Sequence, residues 1–198
     1  MSYRAWIAGA ALLAALVPVS AEATVMTYLD TGELTSRAAL VVRGEVVRQQ
    51  VVLVRGDLWT DSYIKVSEVL KGATARRGTE LVVRRPGGEA LTIGLKVSGA
   101  ARFSRGEQVL VFARPAGPEH GRGIHVTVGM SQGKFRVYRD AAGVERVKRD
   151  VGDLGIASFD RAGQIRIAPH PDVRLPDLPL THLRRAVRRT AGSGGGGR

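Results

Sequence analysis

Apolar and polar side chains alternate along short stretches in the middle of the chain. Between Leu40 and Val46, apolar residues and a glycine take every second position, while Arg43 and Glu45 stand between them. A two-residue period is typical of a strand with one buried face. Gln108–Ala113 is instead a nearly continuous apolar run, which predicts a buried strand. The predicted strands cover residues 40–46, 51–54, 59–70, 80–85, 90–97, 108–113, 124–128, 135–138 and 144–147.

These strands predict a mainly β fold. About eight short strands follow one another at roughly ten-residue spacing, with residues 51–54 either continuing the first strand or starting another. No helical pattern separates successive strands, so a parallel βαβ sheet is not expected. The spacing favours an antiparallel barrel or sandwich, and we place the β-barrel domain at residues 24–148.

Helical or irregular patterns flank the strands. Thr27–Ala39 predicts a short N-terminal helix, which Asp30 or Thr27 can cap. After the barrel, recurring glycine and proline predict an extended arm over residues 149–180 that lies on the barrel. The glycine-rich residues 191–198 predict a disordered tail.

Between the arm and the tail, residues 181–190 predict a basic helix. Thr181 can cap it, its span is His182–Thr190, and Leu183 and Val187 mark its apolar side. The arginines on its opposite side are Arg184, Arg185, Arg188 and Arg189. Such a face can bind an anionic membrane or an acidic partner. The alternative is that the apolar side packs on the barrel and the arginines are solvated, and the narrow stripe without Trp or Phe favours it.

The first 23 residues have the pattern of a signal peptide. Arg4 supplies positive charge, Ala5–Val17 is apolar, and Pro18 ends the run. Residues 21–23 then fit the small-x-small pattern of a cleavage site. The run is shorter than the roughly 20 apolar residues that a membrane-spanning helix needs. We therefore predict cleavage near Ala23 and a periplasmic or secreted protein.

Composition narrows the classes of function. The chain has no cysteine, which excludes disulfides, thiol nucleophiles and cysteine-ligated metal centres. Lys and Arg number 30 against 18 Asp and Glu, which gives a formal net charge of +12. This charge either maintains solubility or favours an anionic partner. Because we predict export, an acidic protein, an anionic lipid surface or an acidic polysaccharide is expected rather than nucleic acid.

One motif has the form of a serine hydrolase site. Gly129–Gly133 fits G-x-S-x-G, with Ser131 as the nucleophile. The triad partners that the chain order allows are Asp150 or Asp153 and His170 or His182. A nucleophile elbow needs a turn from a strand into a helix, whereas Lys134–Tyr138 alternates like a strand. We therefore interpret the motif as a hairpin connection and predict no catalytic residue.

Two further segments bear on ligands. His120 and His125 flank a glycine loop, but no third ligand lies nearby, so no metal site or cofactor is predicted. Arg84–Glu89 is reminiscent of a phosphate-binding loop. It lacks the Gly-Lys-Ser/Thr ending and a following helix, and is interpreted as a β-turn between basic strand ends.

Three segments carry a family resemblance: Ala39–Val46, Val66–Gly72, which ends in V-L-K-G, and Phe103–Phe112, with the pattern F-x-x-G-E-x-V-L-V-F. Together they resemble the OB barrels of netrin modules and of tissue inhibitors of metalloproteinases. The chain is still more similar to a group of uncharacterised exported bacterial proteins, through segments like Ile93–Gly99. The resemblance covers roughly Thr24–Val147 and implies a five-stranded or elaborated antiparallel OB-like barrel.

The inhibitor mechanism of that family does not carry over. Those inhibitors chelate the protease zinc with an N-terminal cysteine, whereas the mature chain here is expected to start at Thr24. We therefore expect an exported, non-enzymatic β-barrel module that binds a protein partner or an extracytoplasmic surface. The alternatives are a protease inhibitor or companion, with an exported protease as partner, and a small serine hydrolase that uses Ser131.

Overall fold

The computed structural model describes residues 25–90, 93–149, 151, 154–159, 165–168 and 177–193. Its strands are β1 Val25–Thr27, β2 Leu40–Val54, β3 Asp57–Lys71, β4 Glu80–Pro86, β5 Gly88–Ala90, β6 Ile93–Leu95, β7 Gln108–Pro115, β8 Ile124–Thr127, β9 Lys134–Arg139, β10 Glu145–Arg149, β11 Gly155–Phe159, β12 Ile165–Ala168 and β13 Leu178–Pro179. Its helices are α1 Thr31–Arg37 and α2 Leu180–Ser193, with 3-10 turns at Pro118–His120 and Met130–Gly133. The predicted signal peptide, Asp150, Asp153, His170 and residues 194–198 lie outside the described residues.

Five strands close into a ring. β2 pairs with β3, β3 with β4, β4 with β8, β8 with β7, and β7 with β2. Closure gives each of these strands a partner on both sides, which protects its backbone hydrogen-bonding groups. This confirms the predicted mainly β fold with an OB-like barrel. The ring is not wholly antiparallel, because the chain crosses through β7 and β8 returns parallel to β4.

The ring strands β2 and β3 are longer than predicted. The separate segments 40–46 and 51–54 belong to one 15-residue strand, β2, which pairs with the equally long β3. The β2–β3 register shifts at three places, and such bulges let a long strand bend around a barrel. Gly44 lets β2 approach β3 closely, since a Cβ there would lie 2.4 Å from the Lys65 carbonyl oxygen.

Alternation places one hydrophobic core inside the ring and another outside it. The inner core contains Leu40, Val42, Val46, Ile64, Val66, Leu81, Val83, Ala101, Phe103, Val109, Val111 and Ala113. Between these positions on β7, Leu110 and Phe112 point outward into a cluster with both helices. β7 is thus buried on both faces, as its continuous apolar run predicts.

The N-terminal helix is shorter than predicted. It begins at Thr31 because Asp30 and Glu33 form a capping box, in which each side chain accepts a hydrogen bond from the other residue's backbone N–H. Thr27 is no cap, because it ends β1. β1 pairs in parallel with β11, and β11 pairs with β12, so part of the predicted extended arm forms a small three-stranded sheet with β1.

The C-terminal helix begins two residues before and ends three residues after the predicted span His182–Thr190. Its apolar side is buried in the outer core through Leu180, Leu183 and Val187, each at most 1% exposed. Packing of this helix on the barrel is therefore observed. Within the described part of the chain, no helix has both the length and the apolar character needed to span a membrane.

Candidate functional site

Arg84 and Arg85 lie near the end of β4 and have different environments. Arg84 lies directly opposite Asp61 on β3. Its Nε donates to Asp61 Oδ1 at 2.6 Å and its Nη2 to Oδ2 at 2.7 Å, so the pair is bidentate. The hydrogen bond to Asp61 is the main cause that raises the pKa of Arg84. Its Nη1 also donates to the His120 carbonyl at 3.1 Å. These contacts hold Arg84 within the fold, where it joins β4 to β3 and to His120.

Arg85 points to the other face of the strand and is not neutralised in the same way. It lies opposite Thr60, and among the described residues its Nη1 donates to the Pro86 carbonyl at 3.3 Å. Its Nε is buried without a hydrogen-bond partner among the described residues. Desolvation lowers the pKa of Arg85, nearby Arg102 lowers it further, and Glu89 partly offsets both. A desolvated guanidinium beside a second arginine is better suited to an anion than to solvent alone.

Arg85 lies on the inner face of the ring and lines a cavity of about 570 Å³, which we call the mouth cavity. Val51, Thr60 and Arg85 lie opposite one another on β2, β3 and β4, so they share this face. The opposite wall is the segment Gly94–Val97. This segment can lie close to the end of β4 because residue 87 is a glycine. Gly87 has φ +83°, and a Cβ there would lie 2.3 Å from the Leu95 carbonyl oxygen. The sequence therefore requires glycine where the wall meets β4.

The mouth cavity combines positive charge with apolar surface. Among the described residues, Arg85, Lys96 and Arg102 line it together with the carboxylate of Glu89, and both Lys96 and Arg102 have interaction partners of their own. Its apolar lining comes from Val51, Leu95 and Val97, and the Leu95 side chain is 44% exposed. At its outer edge lie Gln49 and Gln50, of which Gln49 donates to the Ser62 hydroxyl at 3.1 Å. This lining fits a ligand that carries both carboxylate and apolar groups.

A second cavity of about 480 Å³, the side cavity, also has Arg85 in its wall. Trp59 and His120 line it and contact each other edge to face, with ring centroids 4.5 Å apart. Trp59 Nε1 and His120 Nδ1 are buried, and neither has a hydrogen-bond partner among the described residues. The second ring nitrogen of His120 lies 3.4 Å from Glu119. The sequence carries no local pattern for either cavity, because the walls of both come from distant segments.

A third cavity, of about 690 Å³, lies between the loop after β3 and the loop before β8. Leu40, Leu81 and Ile124 contribute apolar surface to it, and His125 lies at its wall. Burial lowers the pKa of His125, while its Nδ1 lies 3.1 Å from the Gly123 carbonyl. His125 thus has a backbone partner, and this cavity contains no orphaned buried side-chain atom among the described residues.

Ser131 lies in the 3-10 turn between β8 and β9. The predicted hairpin connection is wrong, because among the described strands β8 and β9 each pair with β7 and not with each other. Gly129 has φ +63° and precedes the 3-10 turn, and β9 follows directly. The serine is 2% exposed, and its hydroxyl donates to the Val151 carbonyl at 2.9 Å. Of its possible triad partners, only His182 is described, and it is exposed on α2. A buried hydroxyl bonded to a backbone carbonyl is not arranged as an activated nucleophile.

The four helix arginines divide into two pairs. Arg184 donates to Glu68 of β3 from Nε at 2.9 Å, and Arg188 reaches the same carboxylate at 3.5 Å. Arg185 and Arg189 are exposed to solvent. The face predicted to bind an anionic partner is therefore partly occupied by Glu68. No group of three His, Asp or Glu side chains within the described ranges could hold a metal ion.

The fold and these cavities define the class of protein: a mainly β protein with an OB-like ring and a basic cavity at one end. No known family model matches the chain, and no curated protein is significantly similar to it.

Proposed function

We propose that this protein is a non-enzymatic binding module that holds an acidic, extended segment of a partner protein in the mouth cavity. One observation carries the proposal: Arg85 is desolvated, has a buried Nε without a partner among the described residues, and lies beside Arg102. Its neighbour Arg84, by contrast, is fully paired with Asp61. A partner carboxylate would supply the acceptor that Arg85 Nε lacks among the described residues.

The shape of the mouth cavity supports an extended peptide as the ligand. Alternate side chains of an extended chain point to opposite sides, so one side can meet Arg85 while the other meets apolar surface. Val51 and Leu95 provide that apolar surface. We infer a partner segment in which acidic and apolar residues alternate.

The basic helix is the weaker candidate for this role. Two of its four arginines already contact Glu68, and its apolar side is buried in the outer core. Exposed Arg185 and Arg189 can add long-range attraction, which salt screens. The net charge of +12 favours the same class of partner.

Export remains part of the proposal and rests on the N-terminal pattern of residues 1–23. If the protein is exported, its partner is an exported or surface protein, and an exported protease is one candidate. Titration of purified zinc proteases with the protein tests an inhibitory role directly.

A peptide selection tests the proposed ligand. The purified full chain is used to select from a random displayed 12-residue peptide library at low and at high salt. We expect selected peptides to be enriched in Asp and Glu that alternate with apolar residues, and to bind less well to Arg85→Gln. Arg77→Gln is the matched control, because Arg77 is exposed and lines none of the three cavities. Selected peptides without acidic enrichment, or equal losses in both variants, would contradict the proposal.

The serine hydrolase alternative has its own test. A fluorophosphonate probe labels activated serines, and we expect no labelling because the Ser131 hydroxyl is buried and bonded to the Val151 carbonyl. Labelling that disappears in Ser131→Ala would show that the protein is an enzyme.

A further inference from the structure

The orphaned polar atoms of this protein are concentrated at one place. Four buried side-chain nitrogens have no hydrogen-bond partner within the described part of the chain, and three belong to residues that line the side cavity. These three are Trp59 Nε1, Arg85 Nε and His120 Nδ1. The His120 side chain is only 10% exposed. Buried polar groups in folded proteins are nearly always satisfied, so such a cluster requires an explanation.

The chemistry of the three atoms defines what would satisfy them. An indole N–H and a guanidinium Nε–H can only donate, and an imidazole nitrogen can also donate. Trp59 Nε1 and Arg85 Nε therefore lack an acceptor, His120 Nδ1 lacks one when it carries the ring proton, and the positive charge of Arg85 favours an anion. Arg114 lies exposed at the same cavity and adds positive charge, while Arg84 is already neutralised by Asp61.

The rest of the wall is largely apolar. The residues that provide this surface are Met26, Pro86, Ala100, Val126 and Met130. A volume of about 480 Å³ lies within the range of small-molecule sites. An inorganic anion would leave this surface unused, whereas a short hydrocarbon chain would cover it.

We propose that the side cavity binds a small organic carboxylate. Its oxygens accept hydrogen bonds from Trp59 Nε1 and His120 Nδ1, the positive charge of Arg85 attracts it, and its hydrocarbon chain lies against Met26 and Met130. Both ring nitrogens are buried, so the carboxylate reaches them only if the edge-to-face contact of Trp59 and His120 shifts. Binding should therefore change the environment of the Trp59 indole.

Tryptophan emission gives a direct test, because Trp6 and Trp59 are the two tryptophans of the chain. The full-length Trp6→Phe protein is titrated with acetate, butyrate and hexanoate at constant ionic strength, with phosphate and chloride as the other arms. Each added methylene should tighten binding by about fourfold, as burial of apolar surface predicts. Phosphate bound as tightly as hexanoate, or no dependence on chain length, would overturn the proposal.

Variants separate this site from the mouth cavity. His120→Gln should weaken hexanoate binding at least fivefold, and Arg77→Gln should leave it unchanged. Glu119→Gln should tighten binding, because it removes a negative charge 3.4 Å from His120. A gain of affinity cannot result from misfolding. His120 and Glu119 do not line the mouth cavity, so these variants should not alter peptide binding. Unchanged hexanoate affinity in both His120→Gln and Glu119→Gln would refute the site.

Discussion

Replacing Asp61 with asparagine should destabilise the fold by about 3 kcal/mol, because breaking a buried ion pair costs about 3–5 kcal/mol. The side chains of Asp61 and Arg84 are 4% and 8% exposed, so solvent cannot take the place of the lost charge. The lower end of the range applies because Arg84 keeps its hydrogen bond to the His120 carbonyl. For a chain of this length, the melting temperature should fall by about 6–12 °C.

Urea titration followed by circular dichroism measures this change, provided that the slope with denaturant is unchanged. Glu80→Gln is the matched control, since the Glu80–Arg48 pair is about half exposed and should contribute at most about 1 kcal/mol. The apolar double variant Asp61→Leu with Arg84→Met should lie within about 1 kcal/mol of the wild type or be more stable. An Asp61→Asn loss no larger than that of Glu80→Gln, or a double variant as unstable as the single one, would refute the reasoning.

Three other substitutions probe the fold. Leu183→Ala should cost about 3 kcal/mol in urea titration, because the side chain is 1% exposed in the outer core, and a loss under about 1 kcal/mol would contradict that packing. Gln132→Ala should cost about 2 kcal/mol, because its amide bonds both the Leu29 N–H and the Thr27 carbonyl, and an unchanged urea midpoint would argue against this clamp. Burial lowers the pKa of His125 below 6.5, so the unfolded chain binds its proton more tightly. The contribution of His125 to stability is therefore full above about pH 6.5 and falls as the pH decreases. His125→Gln should lose less stability than the wild type between about pH 7.5 and pH 5.5. An equal loss in the wild type and the variant would contradict this prediction.

The period of apolar residues predicted most strands because β2, β3, β4 and β7 each place alternate residues in the inner core. It failed for β2 between residues 47 and 50, where alternation stops. A register shift follows Val46, and the exposed residues Arg48, Gln49 and Gln50 belong to the part of the hairpin beyond the last pairing with β7. The parallel pairing of β4 with β8 was also missed, because it joins segments about 40 residues apart.

The candidate site could be predicted only in part. Alternation places Leu81, Val83 and Arg85 on one face of β4 and Arg84 on the other, so the two arginines could be separated from sequence. Which of them is neutralised depends on Asp61, which lies 23 positions away. Tertiary contacts of this kind leave no local pattern in the sequence.

For the C-terminal helix, too, the sequence predicted the buried side but not the tertiary contacts of the arginines. Its apolar stripe predicted packing, and Leu183 and Val187 are indeed buried. The contact of Arg184 with Glu68 joins residues 116 positions apart, so the periodicity of the helix carried no sign of it. The serine motif was interpreted from its local context, and the strand predicted after it is β9. The predicted hairpin was wrong, because β8 and β9 both pair with β7, a tertiary arrangement that the local pattern does not contain.

The affinity of one selected acidic peptide, measured for Arg85→Gln and Arg189→Gln side by side, tests the central claim most directly. Arg189 is the matched control, because it is exposed on the basic helix and carries the same charge. A charge-assisted hydrogen bond contributes about 1.5–3 kcal/mol, so Arg85→Gln should weaken binding by about 10- to 100-fold, while Arg189→Gln should change it less than about threefold. Equal losses in the two variants would show that net charge, and not the mouth cavity, holds the partner.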